Sequence, residues 1–298
     1  MNYHQLGNSD LKISEISFGC MSLEREFDTS RKLIHLAINK GINYFDTADI
    51  YQNGENEIIL GKALKEYRNQ VIIGTKVGNQ PRPDGKGWDW NPKKKYIIKA
   101  VENSLSRLQT DYIDLYQLHG GTIEDPIDET IDAFETLVTQ GKIRYYGISS
   151  IRPNVIREYT KRSNIISVMM QYSLLDRRPE ESCLNFLCEN NIGVIARGAL
   201  AKGLLAGKTA TDYLQYTPSE VTQISTIVKE IAGKRNTMSK TAIKFVLEHP
   251  AIISAAVGIR SEDQLLQSIG TSTNDRLSKE EFLKMQQAIE PNFYTSHR

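Results

Sequence analysis

Eight short β-branched or apolar runs, each followed by a longer stretch with helical spacing, leave this chain few folds to choose from. The runs are Ile16–Met21, Tyr44–Thr47, Val71–Lys76, Ile113–Leu118, Tyr145–Ser149, Ser167–Gln171, Gly193–Arg197 and Ile252–Val257. They are apolar throughout more often than alternating, which is the pattern of strands buried on both faces. Such strands are parallel and covered by helices. Eight strand–helix units on 298 residues favour a closed (β/α)8 TIM barrel forming a single domain over 1–298, since barrels of roughly 250 residues fold as one unit. The competitor is an open doubly wound sheet. Against it, no G-x-G-x-x-G follows the first run, where Gly19 stands alone before Cys20-Met21-Ser22.

The helical stretches are well punctuated. Asn91-Pro92 reads as a cap and first-turn proline ahead of the stripe Ile98, Val101, Leu105 and Leu108. A second stripe, Ile127, Ile131, Phe134 and Val138, ends at Gly141. Thr217 with Glu220 and Ser278 with Glu281 have capping-box spacing, and His249-Pro250 stops a helix before the eighth run. Ahead of the first run, His4–Leu6 and Leu11–Ile13 flank Gly7-Asn8-Ser9-Asp10, which predicts a β-hairpin plugging the N-terminal end of the barrel. Lys279–Ile289 is expected as an extra C-terminal helix on the outside.

Composition narrows the function classes. The net charge is +1, from 37 basic and 36 acidic residues, and no basic run suits nucleic acid or anionic lipid. The first twenty residues lack an apolar segment of the signal type, and no apolar stretch is long enough to span a membrane. Cys20, Cys183 and Cys188 are odd in number and lack metal-ligand spacing, so reduced thiols and a cytoplasmic location are expected. No metal is expected either: there are five histidines and no H-x-H, which disfavours a metal-dependent hydrolase.

In a barrel of this kind the loops at the C-terminal ends of the strands build the site. Asp46, Lys76 and His119 end the second, third and fourth runs, and Tyr51 lies in the loop after the second. A phenol, an ammonium, a carboxylate and an imidazole at one rim can reduce a carbonyl. Tyrosine, with a free pKa near 10, is a poor acid until a neighbouring ammonium favours its phenolate. Lowering that pKa by about three units takes roughly 4 kcal/mol. A carboxylate behind the lysine would keep it charged, and the imidazole would hydrogen-bond the carbonyl oxygen. Each residue alone has a plainer reading, as packing tyrosine, helix-capping aspartate, core histidine or solvated lysine. Their shared placement at successive strand ends is the stronger observation.

The stretch from Gly41 to Gly61, G-I-N-Y-F-D-T-A-x-x-Y-x-x-G-x-N-E-x-x-L-G, resembles the signature of the aldo-keto reductases, and the resemblance runs from the hairpin to Ile269. It implies Tyr51 as general acid, Lys76 as the group tuning it, Asp46 as the partner of Lys76, and His119 as substrate orienter. It implies NADP(H) as cofactor and a small-molecule carbonyl as substrate, with Tyr51 and His119 in the pocket; Trp88 and Trp90, in the glycine-containing loop Asp84–Trp90, are read as its wall. Nicotinamide contacts are implied at Ser149, Ser150 and Gln171, with Cys20, Met21 and Asp46 nearby. Ser150 stands where the family usually has asparagine.

Arg197, Gly198, Leu200 and Lys208 match the loop that drapes over the pyrophosphate. Gly258, Arg260, Gln264 and Ser268 follow the eighth run. Ser261 and Gln264 have capping-box spacing there, and a helix start beside Arg260 would suit a 2′-phosphate. A phosphate site after the last strand would equally suit a phosphosugar isomerase. The four-residue rim favours the reductase. The alternative within the family is an NADP(H)-binding barrel that reports redox state with little catalysis.

Overall fold

The protein, described here from a computed structural model, is placed over residues 1–269 and 276–298. A hairpin of β1 (Tyr3–Gln5) and β2 (Lys12–Ser14) comes first. It leads into β3 (Ile16–Gly19), α1 (Phe27–Asn39), β4 (Tyr44–Asp46), α2 (Glu55–Leu64) and β5 (Ile72–Val77). A short antiparallel ribbon, β6 (Asn79–Pro81) and β7 (Trp88–Trp90), precedes α3 (Lys94–Leu108), β8 (Ile113–Leu118) and α4 (Ile127–Thr139). The second half runs β9 (Ile143–Ser149), α5 (Pro153–Arg162), β10 (Ser167–Gln171), α6 (Cys183–Glu189), β11 (Gly193–Arg197), α7 (Pro218–Ala232) and α8 (Met238–Leu247). It ends with β12 (Ile252–Gly258), α9 (Glu262–Ser268) and α10 (Lys279–Gln286). Strands β3, β4, β5, β8, β9, β10, β11 and β12 pair in that order, all parallel, and β12 returns to β3. The eight apolar runs are therefore the eight staves of a closed (β/α)8 barrel.

Alternation along each stave positions the site. In a strand, residues two apart face the same side. Tyr44, Leu115, Met169 and Ile195 belong to an apolar layer low in the barrel, joined from below by Leu6, Leu11 and Ile13 of the hairpin segment. Two residues further along the same staves come Asp46, Gln117, Gln171 and Arg197. The apolar layer fills the barrel and the polar layer above it lines the rim. A separate apolar core fills the space between staves and helices, with Phe134 of α4 stacked on Tyr146 of β9 at 5.3 Å. Helix α10 joins the outside through Phe282, stacked 5.3 Å from Phe245 of α8.

Several boundaries differ from the sequence expectation. Strand β3 stops at Gly19, because Cys20–Ser22 turns back on itself with the Leu23 amide donating to the Cys20 carbonyl at 2.9 Å. Helix α3 starts at Lys94, so Asn91 is not its cap. The Lys94 amide donates instead to Glu129 Oε1 at 3.0 Å, and the inward stripe turns to Ile97, Ala100, Val101, Ser104 and Leu108. Ile98 and Leu105 are only partly buried. The second stripe shifts likewise, to Ile127, Thr130, Ala133, Phe134 and Leu137. The capping boxes at Thr217 and Ser278 are complete. At Ser261 only half a box forms: Ser261 Oγ accepts from the Gln264 amide, but Gln264 Oε1 turns to the Arg260 amide at 3.0 Å. Among the described residues, no helix is long and apolar enough to cross a membrane.

Candidate active site

Asp46, Tyr51, Lys76 and His119 meet at the rim. Lys76 is 1 % exposed, and its Nζ donates to Asp46 Oδ2 at 2.6 Å and to the Thr47 carbonyl at 2.7 Å. The same ammonium lies 5.2 Å from the centroid of the Tyr51 ring. Tyr51 and His119 stand edge to face, their centroids 6.0 Å apart and their planes at 78°. Asp46 Oδ1 accepts at 3.4 Å from Tyr44 Oη and from Gln117 Nε2, which fixes the carboxylate from the barrel side. The backbone holds the strand ends level, since the Asp49 amide donates to the Lys76 carbonyl and the His119 amide to the Val77 carbonyl.

Burial decides the electrostatics. It pushes the Tyr51 phenol above its usual value, and the Lys76 charge pulls it down without overcoming that rise. This corrects the expectation that Lys76 leaves Tyr51 with a net depressed pKa. Tyr51 is a neutral phenol that holds its proton, and Lys76 moderates how tightly. Burial also lowers Lys76, but Asp46 and Tyr51 more than offset this, so the ammonium stays charged. His119 is driven down to about 3 by burial, then by Lys76 and Arg197, so its imidazole is neutral at physiological pH. Its Nδ1 is buried without a hydrogen-bond partner. Among the described residues no cluster of His, Cys, Asp and Glu could hold a metal ion.

The remaining polar residues of the Gly41–Gly61 signature brace the Tyr51 loop. Thr47 Oγ1 donates to Asn56 Oδ1 at 2.7 Å, and Asn56 Nδ2 donates to the Cys20 carbonyl at 2.8 Å. Glu57, fully buried, accepts from Thr75 Oγ1 at 2.6 Å and from Arg107 Nε at 2.7 Å. Gln52 and Asn53 follow Tyr51 with φ of 51° and 57°, and Gln52 Nε2 ties this turn to the Leu23 carbonyl at 2.6 Å. Thr47, Asn56 and Glu57 were visible only as letters of the motif. Apart from the Thr47–Asn56 pair, their side-chain partners lie outside the motif, at Cys20, Thr75 and Arg107.

On one side of the rim the ribbon β6–β7 leans over the loop after β8. Trp90, expected with Trp88 as a wall of the pocket, packs against Gly78 and Gly120: a Cβ on Gly78 would lie 2.6 Å from its ring. Trp90 Nε1 donates to both oxygens of Asp125, at 2.9 and 3.1 Å, and Asp125 in turn receives the Thr122 amide at 2.7 Å. Trp88 is half-exposed at the outer end of the ribbon.

On the other side, Ser149, Gln171 and Arg197 end the neighbouring staves β9, β10 and β11, with Ser149 paired to Met169 and Gln171 to Arg197. Ser149 and Ser150 are buried, and Ser150 Oγ accepts from the Arg152 amide at 3.2 Å. Arg197 Nη1 donates to Gln171 Oε1 at 3.1 Å. Gly198 has φ of 72°, with its α-carbon face against Gln171, and Leu200 is half-buried behind it. Lys208 is exposed and lays its methylenes over Gly203. Gly258, the last residue of β12, is exposed, as are Arg260 and Gln264 beyond it and Met21 after β3.

Two expected cofactor residues are buried. Cys20 lies beside Asp46 and Lys76 but is wholly buried, its thiol pushed up by burial and then by Asp46, and its carbonyl taken by Asn56. Ser268 is buried, donates to the Gln264 carbonyl at 2.8 Å, and lines a cavity with Asn2 and His4 on the hairpin side.

Residues 15–290 match the sequence profile of the aldo/keto reductase family. The whole chain aligns with the whole of the "Uncharacterized oxidoreductase YqkF" of Bacillus subtilis, at 48% identity. In three dimensions it is similar to the aldo-keto reductase AKR11C1 of Bacillus halodurans. The holo form gives a TM-score of 0.94 at 47% identity, covering 100% of this chain and 99% of that one. The apo form gives 0.85 at 44% identity with the same coverage. With the signature, the closed barrel and the rim in agreement, the chain belongs to the aldo/keto reductase family of oxidoreductases.

Proposed function

We propose that this protein is an NADPH-dependent reductase of aldehydes or ketones, the whole chain 1–298 acting as one catalytic domain. The observation that carries this reading is the Lys76 ammonium, buried against Asp46 at 2.6 Å and 5.2 Å from the Tyr51 ring, beside a neutral His119. Tyr51 donates its proton to the carbonyl oxygen, and the phenolate left behind is stabilised by Lys76. Asp46 keeps Lys76 charged and fixed. His119 donates its single N–H to the same oxygen and so selects the orientation of the carbonyl. Trp90, held by Asp125, walls the substrate side, with Trp88 further out.

The donor set on the opposite side fits a nicotinamide. Ser149, Ser150 and Gln171 offer hydroxyl and amide groups suited to a carboxamide, and Arg197 offers a planar cation for stacking or for phosphate. A reduced nicotinamide, when bound, supplies a hydride to the carbonyl carbon. Gly198, Leu200 and Lys208 would border the pyrophosphate, with Met21 and Gly258 at its edge. Arg260 and the Gln264 turn would meet the 2′-phosphate. The greater likeness to the holo than to the apo form of the Bacillus halodurans relative supports a site arranged for a ligand.

The test is NADPH oxidation with 4-nitrobenzaldehyde, alongside fluorescence titration with NADPH and NADH. Many turnovers per site and tighter binding of NADPH are expected. Arg260→Ala should narrow the preference by about one to two orders of magnitude, the worth of a charge-assisted hydrogen bond. Binding without turnover of this and related aldehydes would favour the redox-reporting alternative. Equal affinities in the wild type would remove the 2′-phosphate role from Arg260.

A further inference from the structure

The amide of Gln171 is not free to turn. Its Nε2 donates to Asp176 Oδ2 at 2.8 Å and to Tyr213 Oη at 3.2 Å. Asp176 is fully buried, and Arg178 grips both of its oxygens, Nε to Oδ1 and Nη2 to Oδ2, each at 2.7 Å. A turn holds the aspartate in place, with the backbone of Ser173 and Asp176 bonded in both directions. Tyr213 is buried and arrives from the loop after β11.

A carboxylate is only an acceptor, so it must face the NH2 end of a primary amide and never the oxygen. Both Nε2 hydrogens are thereby consumed on the protein side. Gln171 Oε1 is left pointing away from Asp176, where Arg197 Nη1 reaches it at 3.1 Å and uses one of its two lone pairs. Whatever meets Gln171 at the rim therefore meets an acceptor.

We infer that Asp176, with Arg178 and Tyr213 behind it, is a positioning device that locks the Gln171 amide with its oxygen toward the ligand. The site thereby selects a ring substituent that donates an N–H. This rests on the nicotinamide reading above and goes beyond it: the specificity lies in residues that do not touch the cofactor. Were the amide free to flip, the same glutamine would accept a carbonyl as readily as an amino group.

The test compares NADPH with its 3-acetylpyridine analogue, in which a methyl group replaces the carboxamide NH2, by fluorescence titration. Wild type should bind NADPH about tenfold more tightly, since the analogue leaves the Gln171 oxygen without its donor. Asp176→Asn keeps the shape but offers both a donor and an acceptor, so the amide can turn. The preference should fall to within about threefold, with adenosine 2′,5′-bisphosphate bound as by wild type.

An unchanged tenfold preference in Asp176→Asn would overturn the inference, as would equal weakening of all three ligands, which marks a merely structural role. If Asp176→Asn loses its fold by circular dichroism, Asp176→Ser, whose hydroxyl both donates and accepts, carries the same comparison. Failure of wild type to bind NADPH at all would overturn the nicotinamide reading, and the inference with it.

Discussion

Lys76→Met separates the two tasks of the buried ammonium. Methionine follows the same path through the barrel but carries no charge. Removing one member of a buried ion pair costs about 3–5 kcal/mol, because the other charge is left uncompensated. Asp46 would retain only Tyr44 Oη and Gln117 Nε2, both at a long 3.4 Å, so little of that cost is recovered. At roughly 2–3 °C per kcal/mol for a domain of this size, the melting temperature should fall by about 10 °C at pH 8.

The pH dependence supplies a sign. Burial already raises the Asp46 carboxyl, with Lys76 opposing, and without Lys76 it rises further. A carboxyl raised in the folded state gives stability that is fully present below its unfolded pKa of about 3.9 and is lost as pH rises through the folded value. The deficit of the variant should therefore shrink as pH is lowered from 8 towards 5. Adding Asp46→Asn should restore part of it at pH 8, and less as the pH is lowered. Turnover should drop as well. A charge 5.2 Å from the phenol ring, at an effective dielectric constant of about 20, is worth about 3 kcal/mol. That corresponds to a roughly ten- to hundredfold loss, according to how much of it the proton transfer feels. A variant that melts within 2 °C of wild type, or whose deficit ignores pH, would refute the buried pair; the limit of about 2 °C corresponds to less than 1 kcal/mol.

Three further outcomes are expected. Tyr51→Phe should keep NADPH affinity and lose about 10²–10⁴ in turnover, the worth of general acid catalysis; turnover within twofold of wild type would remove Tyr51 from that role. His119 should contribute no ionisation to the pH–rate profile between 5 and 8. Its folded pKa of about 3 lies below the unfolded 6.5, so the unfolded state binds the extra proton and stability falls on acidification. Between pH 7.5 and 5 wild type should lose about 2 kcal/mol that His119→Gln keeps, measured by urea denaturation. Gly61→Ala should destabilise by about 1–3 kcal/mol in thermal melts, because a Cβ there would lie 2.3 Å from the Leu108 carbonyl oxygen of the next helix.

The barrel could be read from the chain because doubly buried parallel strands are apolar on every residue, and turns and caps separate them. Asp46, Lys76 and His119 were legible for the same reason: a polar residue closing an apolar run must lie at its end. The ribbon was not legible. Strands of three residues inside a glycine- and proline-rich loop have no period to detect, so Trp90 could not be set apart from Trp88. The sign of the Tyr51 shift was also out of reach, since it depends on how deeply α2 and the neighbouring loops bury the ring. Asp176 and Tyr213 come from two different loops, and nothing local announces that they share one amide. The α3 stripe was displaced because Pro92 reads as a first-turn residue, whereas the helix waits until Lys94.

The hairpin under the barrel bears on the order in which the chain is assembled. It precedes all eight staves in the chain, yet the residues on which Leu6, Leu11 and Ile13 rest extend from Tyr44 to Ala256. Its docking surface does not exist until the last stave has closed the ring, and an isolated two-stranded hairpin is marginal in water. A segment synthesised ahead of every stave must therefore seat among the last, after a loop closure of more than two hundred residues by the positions of its partners. During that wait its apolar face is exposed. Its strands are only three residues each, too short to template another chain, and this brevity guards the nascent protein while the barrel closes.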